Sequence, residues 1–457
     1  MARDVRFLAP SKQRREVSAM KVLMFGWEYP PHITGGLGTA CHGLSSSLSR
    51  LVERLTFVMP HLAGRAEEGP VDLVSASHVE LTAAEAQSAE ADAAHILEYV
   101  AIDSPLRPYV SPDAYLKTIV RDFPMARQSS KAESQTFRVE LTGSYGPTLF
   151  DEIARYAIVA AQLARRQEYD VIHAHDWMTF PAGMAAKRVS GAPLIVHVHA
   201  LEFDRCGESI HQGVYDIERE GMEAADLIIA VSRRTKQMIH ERYGIAEEKV
   251  RVVHNGIAAR RDELDQPRKA EEAPVRQRRL PGRLVVFLGR VTMQKGPEYF
   301  LEAAYLVKKR LDDVRFVMAG TGDMWTRMVA RMSELDLLDC FHFTGFVDEK
   351  RRNQLLSMAD LFVMSSVSEP FGLTPVEALQ HGVPVIVSRQ AGVSEVLTGA
   401  VKVDFWDVRR IADAIINVLG NESLARQLRE DGGRDLQHLD WDSAARRVVD
   451  VYEEVMR

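Results

Sequence analysis

The chain has 457 residues, 46% hydrophobic and 26% charged, the make-up of a folded protein with substantial cores. Two large α/β domains fit this length better than three small ones, because such domains often run to ~200 residues or more. A net charge of -7 argues against a general nucleic-acid binder, and no apolar run approaches the ~18 residues of a membrane span. The three cysteines, Cys41, Cys206 and Cys340, lie far apart without metal-ligand spacing, which points to a reducing compartment. Residues 1–19 are basic (Arg3, Arg6, Lys12, Arg14, Arg15) and lack the apolar core of a signal peptide, so they read as an extension of a cytoplasmic protein.

From Met20 onward strands and helices alternate. Lys21–Gly26 reads as a strand, about Thr39–Leu51 as a helix and Leu55–Pro60 as a strand. Residues 70–135 are less regular: Ala/Glu-rich Glu80–Ala94 looks helical and Ile96–Ile102 strand-like, and no function attaches to them. Next come an alanine-rich helix, Asp151–Arg166, a strand Tyr169–His175, a helix Phe180–Val189, and strands Pro193–Val198, Leu227–Val231 and Val250–His254. Strands separated by about ten to fifteen helical residues imply βαβ units and a parallel sheet. Ile257–Leu280 is dense in charge with almost no aliphatic residues and reads as an exposed linker. A second unit runs through strands Leu284–Leu288, Val314–Met318, Cys340–Phe343, Leu361–Met364 and Val383–Val387 to a helix at Val408–Leu419. A polar break at Asp431–Gly433 precedes a last helix, about Trp441–Val455. The expected division is an extension 1–19, a Rossmann-like domain 20–262, a linker 263–281, a second Rossmann-like domain 282–437 and a final helix 438–457, with a ligand cleft between the domains.

Four segments carry chemistry. Glu369-Pro-Phe-Gly-Leu-Thr-Pro-Val-Glu377 follows the strand at Leu361 and leads into a helix, so it sits at the carboxyl end of a parallel strand, where α/β sheets bind ligands. Gly372 permits a tight backbone, Thr374 and Pro375 suit the N-cap and first helical position, and the helix start offers N–H groups to an anion. Thr374-x-x-Glu377 is equally the pattern of a capping box, whereas Glu369 has no local capping role. Gly289-Arg-Val-Thr-Met-Gln-Lys-Gly296 places Arg290 and Lys295 at another strand end, a fork and a point charge suited to a diphosphate, though loop cations are more often merely solvated. Trp27–Gly38 carries Gly35 and Gly36 after the first strand; its loop is too long for a dinucleotide fingerprint, but paired glycines let backbone N–H groups approach a phosphate. Val171-Ile-His-Ala-His-Asp-Trp177 ends a strand with His175, and His197 and His199 stand likewise in Val196–Arg205; such histidines are often only packing residues. His-Ala-His lacks a second ligand pair of the required spacing, so no metal site is expected.

The segment Glu369–Glu377 resembles the paired-glutamate motif of retaining GT-B glycosyltransferases that use nucleotide sugars. The Arg290/Lys295 loop, Thr34-Gly-Gly-Leu37 and His173-Ala-His-Asp-Trp177 resemble their counterparts in the family 4 and glycogen synthase-like group, in family order. One departure is Ile33, where bacterial glycogen and starch synthases typically carry Lys. The resemblance implies a GT-B fold whose C-terminal helix crosses back to the first domain. Arg290 and Lys295 would neutralise the leaving nucleoside diphosphate, Glu369 would hold a donor-sugar hydroxyl, and Glu377 would reach the ribose hydroxyls. His175 would lie beside the donor sugar, Asn255 would contact the sugar or acceptor, and Gly35, Gly36, Phe371, Gly372, Leu373 and Thr374 would line the nucleotide sugar. The implied reaction moves a hexosyl group, glucose first, from UDP- or ADP-glucose to a carbohydrate acceptor such as an α-glucan, without another cofactor. Leaving-group stabilisation by the cationic pocket suits front-face transfer, with the domains closing around the donor. The alternatives are a phosphosugar or lipid acceptor, the basic extension fitting weak membrane-surface contact, or a non-catalytic nucleotide-sugar-binding relative. An epimerase or dehydrogenase would need a tight glycine fingerprint and a Tyr–Lys couple, and the sequence has neither.

Overall fold

The computed structural model describes residues 18–30, 35–62, 71–82, 84–85, 88, 136–143, 145–146, 148–258 and 282–457. The extension before Ser18, the linker 263–281, the strand expected at Ile96–Ile102 and most of the helix expected at Glu80–Ala94 lie outside the described residues.

The first domain begins with β1 (Ser18–Phe25), α1 (Gly36–Leu48), β2 (Val52–Met59) and β3 (Asp72–Ser75). A small ribbon, β4 (Glu80–Thr82) against β5 (Thr136–Arg138), precedes α2 (Leu149–Arg166). Then follow β6 (Val171–His175), α3 (Phe180–Ser190), β7 (Leu194–Val198), α4 (Glu202–Cys206), α5 (Gln212–Ala224), β8 (Leu227–Ala230), α6 (Arg233–Tyr243) and β9 (Val250–Val252). Seven of these strands form a parallel sheet in the order β3-β2-β1-β6-β7-β8-β9. Strands β6 and β7 are buried along their whole length, as central strands covered on both faces should be, and carry His173, His175 and His197 inside. Helix α2 has Asp151 and Glu152 in its first turn and Arg165 and Arg166 in its last, matching the helix dipole, while its alanines pack inward.

The second domain contains β10 (Arg283–Leu288), α7 (Pro297–Lys308), β11 (Val314–Ala319), α8 (Trp325–Glu334), β12 (Phe341–Gly345), α9 (Glu349–Met358) and β13 (Leu361–Met364). It continues with α10 (Thr374–Gln380), β14 (Val385–Ser388), β15 (Ala400–Val403), α11 (Val408–Gly420) and α12 (Glu422–Leu436). Its sheet is parallel with the order β12-β11-β10-β13-β14-β15. Strand order reverses between β1 and β6 in one sheet and between β10 and β13 in the other. Those two switch points are where open α/β sheets leave a crevice for ligands.

A final helix, α13 (Trp441–Val455), packs back on the first domain against α1. Trp441, Ala445, Val448 and Tyr452 are buried in the same core as Val22, Leu44 and Leu48. Gly43 makes the approach possible: a Cβ there would lie 2.2 Å from Trp441 Nε1. Gly43→Ala is therefore expected to cost about 1–3 kcal/mol of overpacking, read as a lower midpoint in thermal unfolding. Combined with Trp441→Phe, which removes that atom, the loss should be less than additive.

Several elements depart from the sequence reading. Helix α1 starts at Gly36, so Thr39 is inside its first turn instead of near the cap. Glu80 is in a strand: Thr82 N–H donates to Glu85 Oε2 at 2.8 Å while Glu85 N–H donates to Thr82 Oγ1 at 3.2 Å, a capping box that puts any helix start after Thr82. Strands β3 and β15 were not anticipated, being only four residues each. Asp431–Gly433 is not a break but part of α12. Gly432 is there for contact, since a Cβ would lie 2.4 Å from a Leu379 methyl, and Asp435 of the same helix accepts N–H bonds from Thr398 (2.7 Å) and Gly399 (2.8 Å).

Candidate active site at the two switch points

In the second domain the loop after β10 and the loop after β13 lie side by side. Lys295 Nζ donates to Glu369 Oε2, and Ser366 Oγ donates to the same oxygen at 3.3 Å. Arg290 Nη2 donates to Gln294 Oε1 at 3.2 Å, and the Gln294 carbonyl accepts from Val367 N–H at 2.9 Å. Ser365 Oγ closes the seam on the Gly296 carbonyl at 2.8 Å. Arg290, Lys295 and Glu369 thus form one cluster, though the two cations stand on one loop and the carboxylate on the other. Glu369 is buried, and its backbone is held to the chain after β14: Glu369 N–H donates to Gln390 O at 3.1 Å and Gly392 N–H to Glu369 O at 2.9 Å.

The start of α10 differs from the sequence reading. Leu373 is the N-cap, Thr374 the first helical residue and Pro375 the second, and no side chain caps the helix. The capping box is not formed because Glu377 turns to another helix: Arg352 Nη1 of α9 lies 2.9 Å from Glu377 Oε1. Burial pushes the Glu377 carboxyl up, Arg352 pulls it back down, and Glu349 nearby pushes it up again. Gly372 has φ +100°, so the bend before the helix is one an L side chain resists. Phe371 is buried and its ring faces His254 of the first domain, centroids 6.0 Å apart.

In the first domain Gly35 and Gly36 stand exposed at the start of α1, with open space where a Cβ would be. Thr34 and the loop before it lie outside the described residues. Across the switch point, four imidazoles form a stack. His173 Nδ1 bonds Tyr452 Oη at 2.5 Å, His173 Nε2 bonds His197 Nδ1 at 3.3 Å, and His175 Nδ1 bonds His199 Nε2 at 2.9 Å. Burial is the main reason that all four rings stay neutral: His173 and His199 are pushed down to about 3, and His175 and His197 fall well below the usual range. His173 and His197 are packing histidines. His175 is equally buried, and among the described residues its Nε2, like that of His197, has no hydrogen-bond partner, leaving unsatisfied polar atoms in the stack.

The second His-x-His pair that sequence spacing lacked comes from the neighbouring strand, with His197 beside His175 in register. Cys41, His175 and His199 bring their ligand atoms within 4.8 Å of one another, as do His173, His175 and His197. The latter rings stack at 12°, 23° and 29° to one another, which sets their in-plane lone pairs side by side instead of on one point.

Asp176, which the sequence reading passed over, holds this end of the sheet together. Its carboxylate accepts from His199 N–H at 2.6 Å and Ala200 N–H at 3.2 Å, and its φ of +61° is a strained one for a non-glycine residue. Burial pushes its carboxyl up to about 6 against the pull of Arg205 and those amides. The only hint in the sequence was its place in His-Asp-Trp.

The domains meet beside the Lys295 cluster. Ser368 Oγ donates to Asp204 Oδ1 at 2.5 Å and lies 3.3 Å from Arg234 Nη2. Glu395 accepts from Arg233 N–H (2.9 Å) and Arg234 N–H (2.8 Å) at the start of α6, and from His254 Nε2 at 3.1 Å. Helix α4 packs against the turn Met293–Lys295. Asn255 is buried next to His254, just after the edge strand β9 and away from the β1/β6 switch point. Gly35, Gly36 and His175 thus stand at the β1/β6 switch point of one domain and Arg290, Lys295 and Glu369 at the β10/β13 switch point of the other, with Glu377 in the first turn of α10.

Two family models match the chain: Glycosyltransferase Family 4 over residues 120–261 and Glycosyl transferases group 1 over residues 269–435. The chain belongs to the family 4 glycosyltransferases. It is similar to an uncharacterized glycosyltransferase of Methanocaldococcus jannaschii, 26% identical over 96% of this chain and 99% of that protein. It is also similar to the glycogen synthase of Mycobacterium tuberculosis, 25% identical over 95% of this chain and 94% of the relative. Among solved structures, HepE of Anabaena in complex with UDP and glucose superimposes with a TM-score of 0.62 at 16% identity, covering 95% of this chain and all of that one. The two facing Rossmann-like domains are the GT-B fold, and this family 4 protein is a sugar transferase. Among its described residues no helix is long and apolar enough to cross a membrane.

Proposed function

We propose that this family 4 transferase moves a glucosyl group from UDP- or ADP-glucose to a carbohydrate acceptor, an α-glucan first, with retention of the anomeric configuration. The observation that carries this reading is the juxtaposition of Arg290, Lys295 and Glu369 at the β10/β13 switch point. Two cations, Arg290 exposed and Lys295 half-buried, beside one buried carboxylate match a donor that is anionic at its diphosphate and rich in hydroxyls at its sugar. With donor bound, the diphosphate would take over Lys295 and Arg290, and Glu369 would accept from a sugar hydroxyl. The bond from the anomeric carbon to the diphosphate oxygen then breaks, and the departing oxygen leaves with the electron pair. The acceptor oxygen bonds the same face of that carbon, and its proton passes to the departing phosphate oxygen. Preorganised cations stabilise the charge that grows on the leaving group. His175, with its unpartnered Nε2, would meet a sugar hydroxyl from the first domain. The similarity to a glycogen synthase and to a structure holding UDP and glucose supports donor and acceptor alike.

The test is product analysis. The purified protein is offered UDP-, ADP- and GDP-glucose with maltooligosaccharide, phosphosugar and lipid acceptors, and products are read by mass spectrometry and by the proton coupling of the new linkage. An α-linked glucan product is expected. A β-linked product overturns retention, and no transfer or binding with any donor overturns the donor reading.

A further inference from the structure

Glu377 belongs to the paired-glutamate motif, yet nothing in that motif says what keeps its carboxylate in place. Helix α10 does not, because the capping box is absent. The partner comes from α9, an element of different sequence neighbourhood. That helix is nucleated by Asp348, whose side chain accepts from Arg351 N–H at 2.7 Å, and Arg352 follows in its first turns. The Arg352 guanidinium is directed on more than one edge: Nη1 lies 2.9 Å from Glu377 Oε1, Nε lies 3.4 Å from Asn353 Oδ1, and Nη2 lies 3.6 Å from Glu349 Oε1. The 2.9 Å contact is the closest of the three, an ion pair, while the hydrogen bond of the guanidinium goes to Asn353. Both side chains of the pair are shielded, at 26% and 15% exposure, so water screens their attraction less than it would on an open surface.

We propose that Arg352 is the positioning residue for Glu377, holding its carboxylate at the mouth of the β10/β13 crevice where it accepts from the ribose hydroxyls of a nucleotide sugar. This rests on the proposed donor class. Two consequences separate positioning from a simple structural pair. A carboxylate accepts two ribose hydroxyl bonds only while it is ionised, and it is Arg352 that opposes the burial and the Glu349 charge that both favour its protonation. Lys295 and Glu369, across the loop, are engaged with each other and offer Glu377 no substitute. Without Arg352, Glu377 should take up a proton at higher pH, and donor affinity should fall with it.

The experiment is calorimetric binding of UDP-glucose between pH 6 and 9, with ADP- and GDP-glucose where the wild type prefers them. The diphosphate diester of these donors stays ionised throughout, so the ligand adds no titration of its own. Asp176, which titrates near pH 6 in the first domain, contributes the same background to every variant. Arg352→Ala should bind about tenfold more weakly than wild type near pH 6.5, with the gap narrowing toward pH 9, as expected when a shielded carboxylate loses the charge beside it. Arg352→Lys should recover most of the affinity, and Glu377→Gln should erase the pH dependence that separates Arg352→Ala from wild type. Parallel pH profiles for wild type and Arg352→Ala, or a difference that persists in the Glu377→Gln background, overturn the proposal. A wild type that binds none of the three donors overturns the proposed function instead, and this inference with it.

Discussion

Arg290→Ala and Lys295→Ala should each lower turnover about 10²–10³-fold, on the order of 2–4 kcal/mol of transition-state stabilisation, by analogy with the loss of one preorganised oxyanion donor. The effect should fall on kcat more than on donor KM, because charge on the leaving diphosphate is largest in the transition state. The two variants should differ in a second respect. Among the described residues Arg290 reaches only Gln294 on its own loop, so its loss should leave the fold nearly untouched. Lys295 is the partner of buried Glu369, so Lys295→Ala leaves that carboxylate with Ser366 alone and should also lower the melting temperature. Steady-state rates together with thermal melts check both statements. Wild-type turnover in either folded variant would remove the diphosphate role from that residue.

The fold was legible because both sheets are parallel and buried. Apolar runs such as Phe316–Ala319 and Leu361–Met364 announce such strands, and the intervening helices carry clear periods. Short edge strands gave less signal: β15 (Ala-Val-Lys-Val) is only partly buried, and β3 begins with an exposed aspartate. Glycines misled where they serve contact instead of chain reversal, as at Gly432, because the sequence does not show what packs against a position. The candidate residues were legible from their place in the strand pattern: Glu369, Arg290, Lys295 and His175 all stand at or after strand ends next to a switch point. What crosses between elements was not. The pairs Arg352–Glu377, Ser368–Asp204 and Glu395 with the start of α6 join residues far apart in the chain, and only the folded register sets them face to face. The neutral histidine stack has the same origin, since each β6 histidine bonds one on β7 or just after it, and His173 also bonds Tyr452 of α13. A reading that weighed Thr374-x-x-Glu377 as a helix cap was reasonable locally and lost to that long-range ion pair.

The two glutamates of the motif should separate kinetically. Glu369 lies ahead of α10, bonded by Lys295 and Ser366 in the crevice where the proposed donor sugar would sit, so a contact with a sugar hydroxyl there would strengthen as positive charge develops at the anomeric carbon. Glu369→Gln keeps size and one acceptor oxygen but loses the charge; kcat should fall about 10²-fold with a much smaller change in donor KM. Glu377 is further along, in the first turn of α10, with Arg352 on its carboxylate. Its contact to the ribose would be much the same in ground and transition states, so Glu377→Gln should raise donor KM about tenfold and leave kcat within a few-fold of wild type. Because Gln still offers Arg352 an acceptor, the fold should survive, at a modest cost for a shielded guanidinium that has lost its counter-charge. Donor titrations at saturating acceptor decide the matter. A Glu377→Gln enzyme that melts earlier but keeps wild-type KM and kcat would make the Arg352–Glu377 pair a brace between α9 and α10 and leave donor recognition to the Arg290, Lys295 and Glu369 cluster alone.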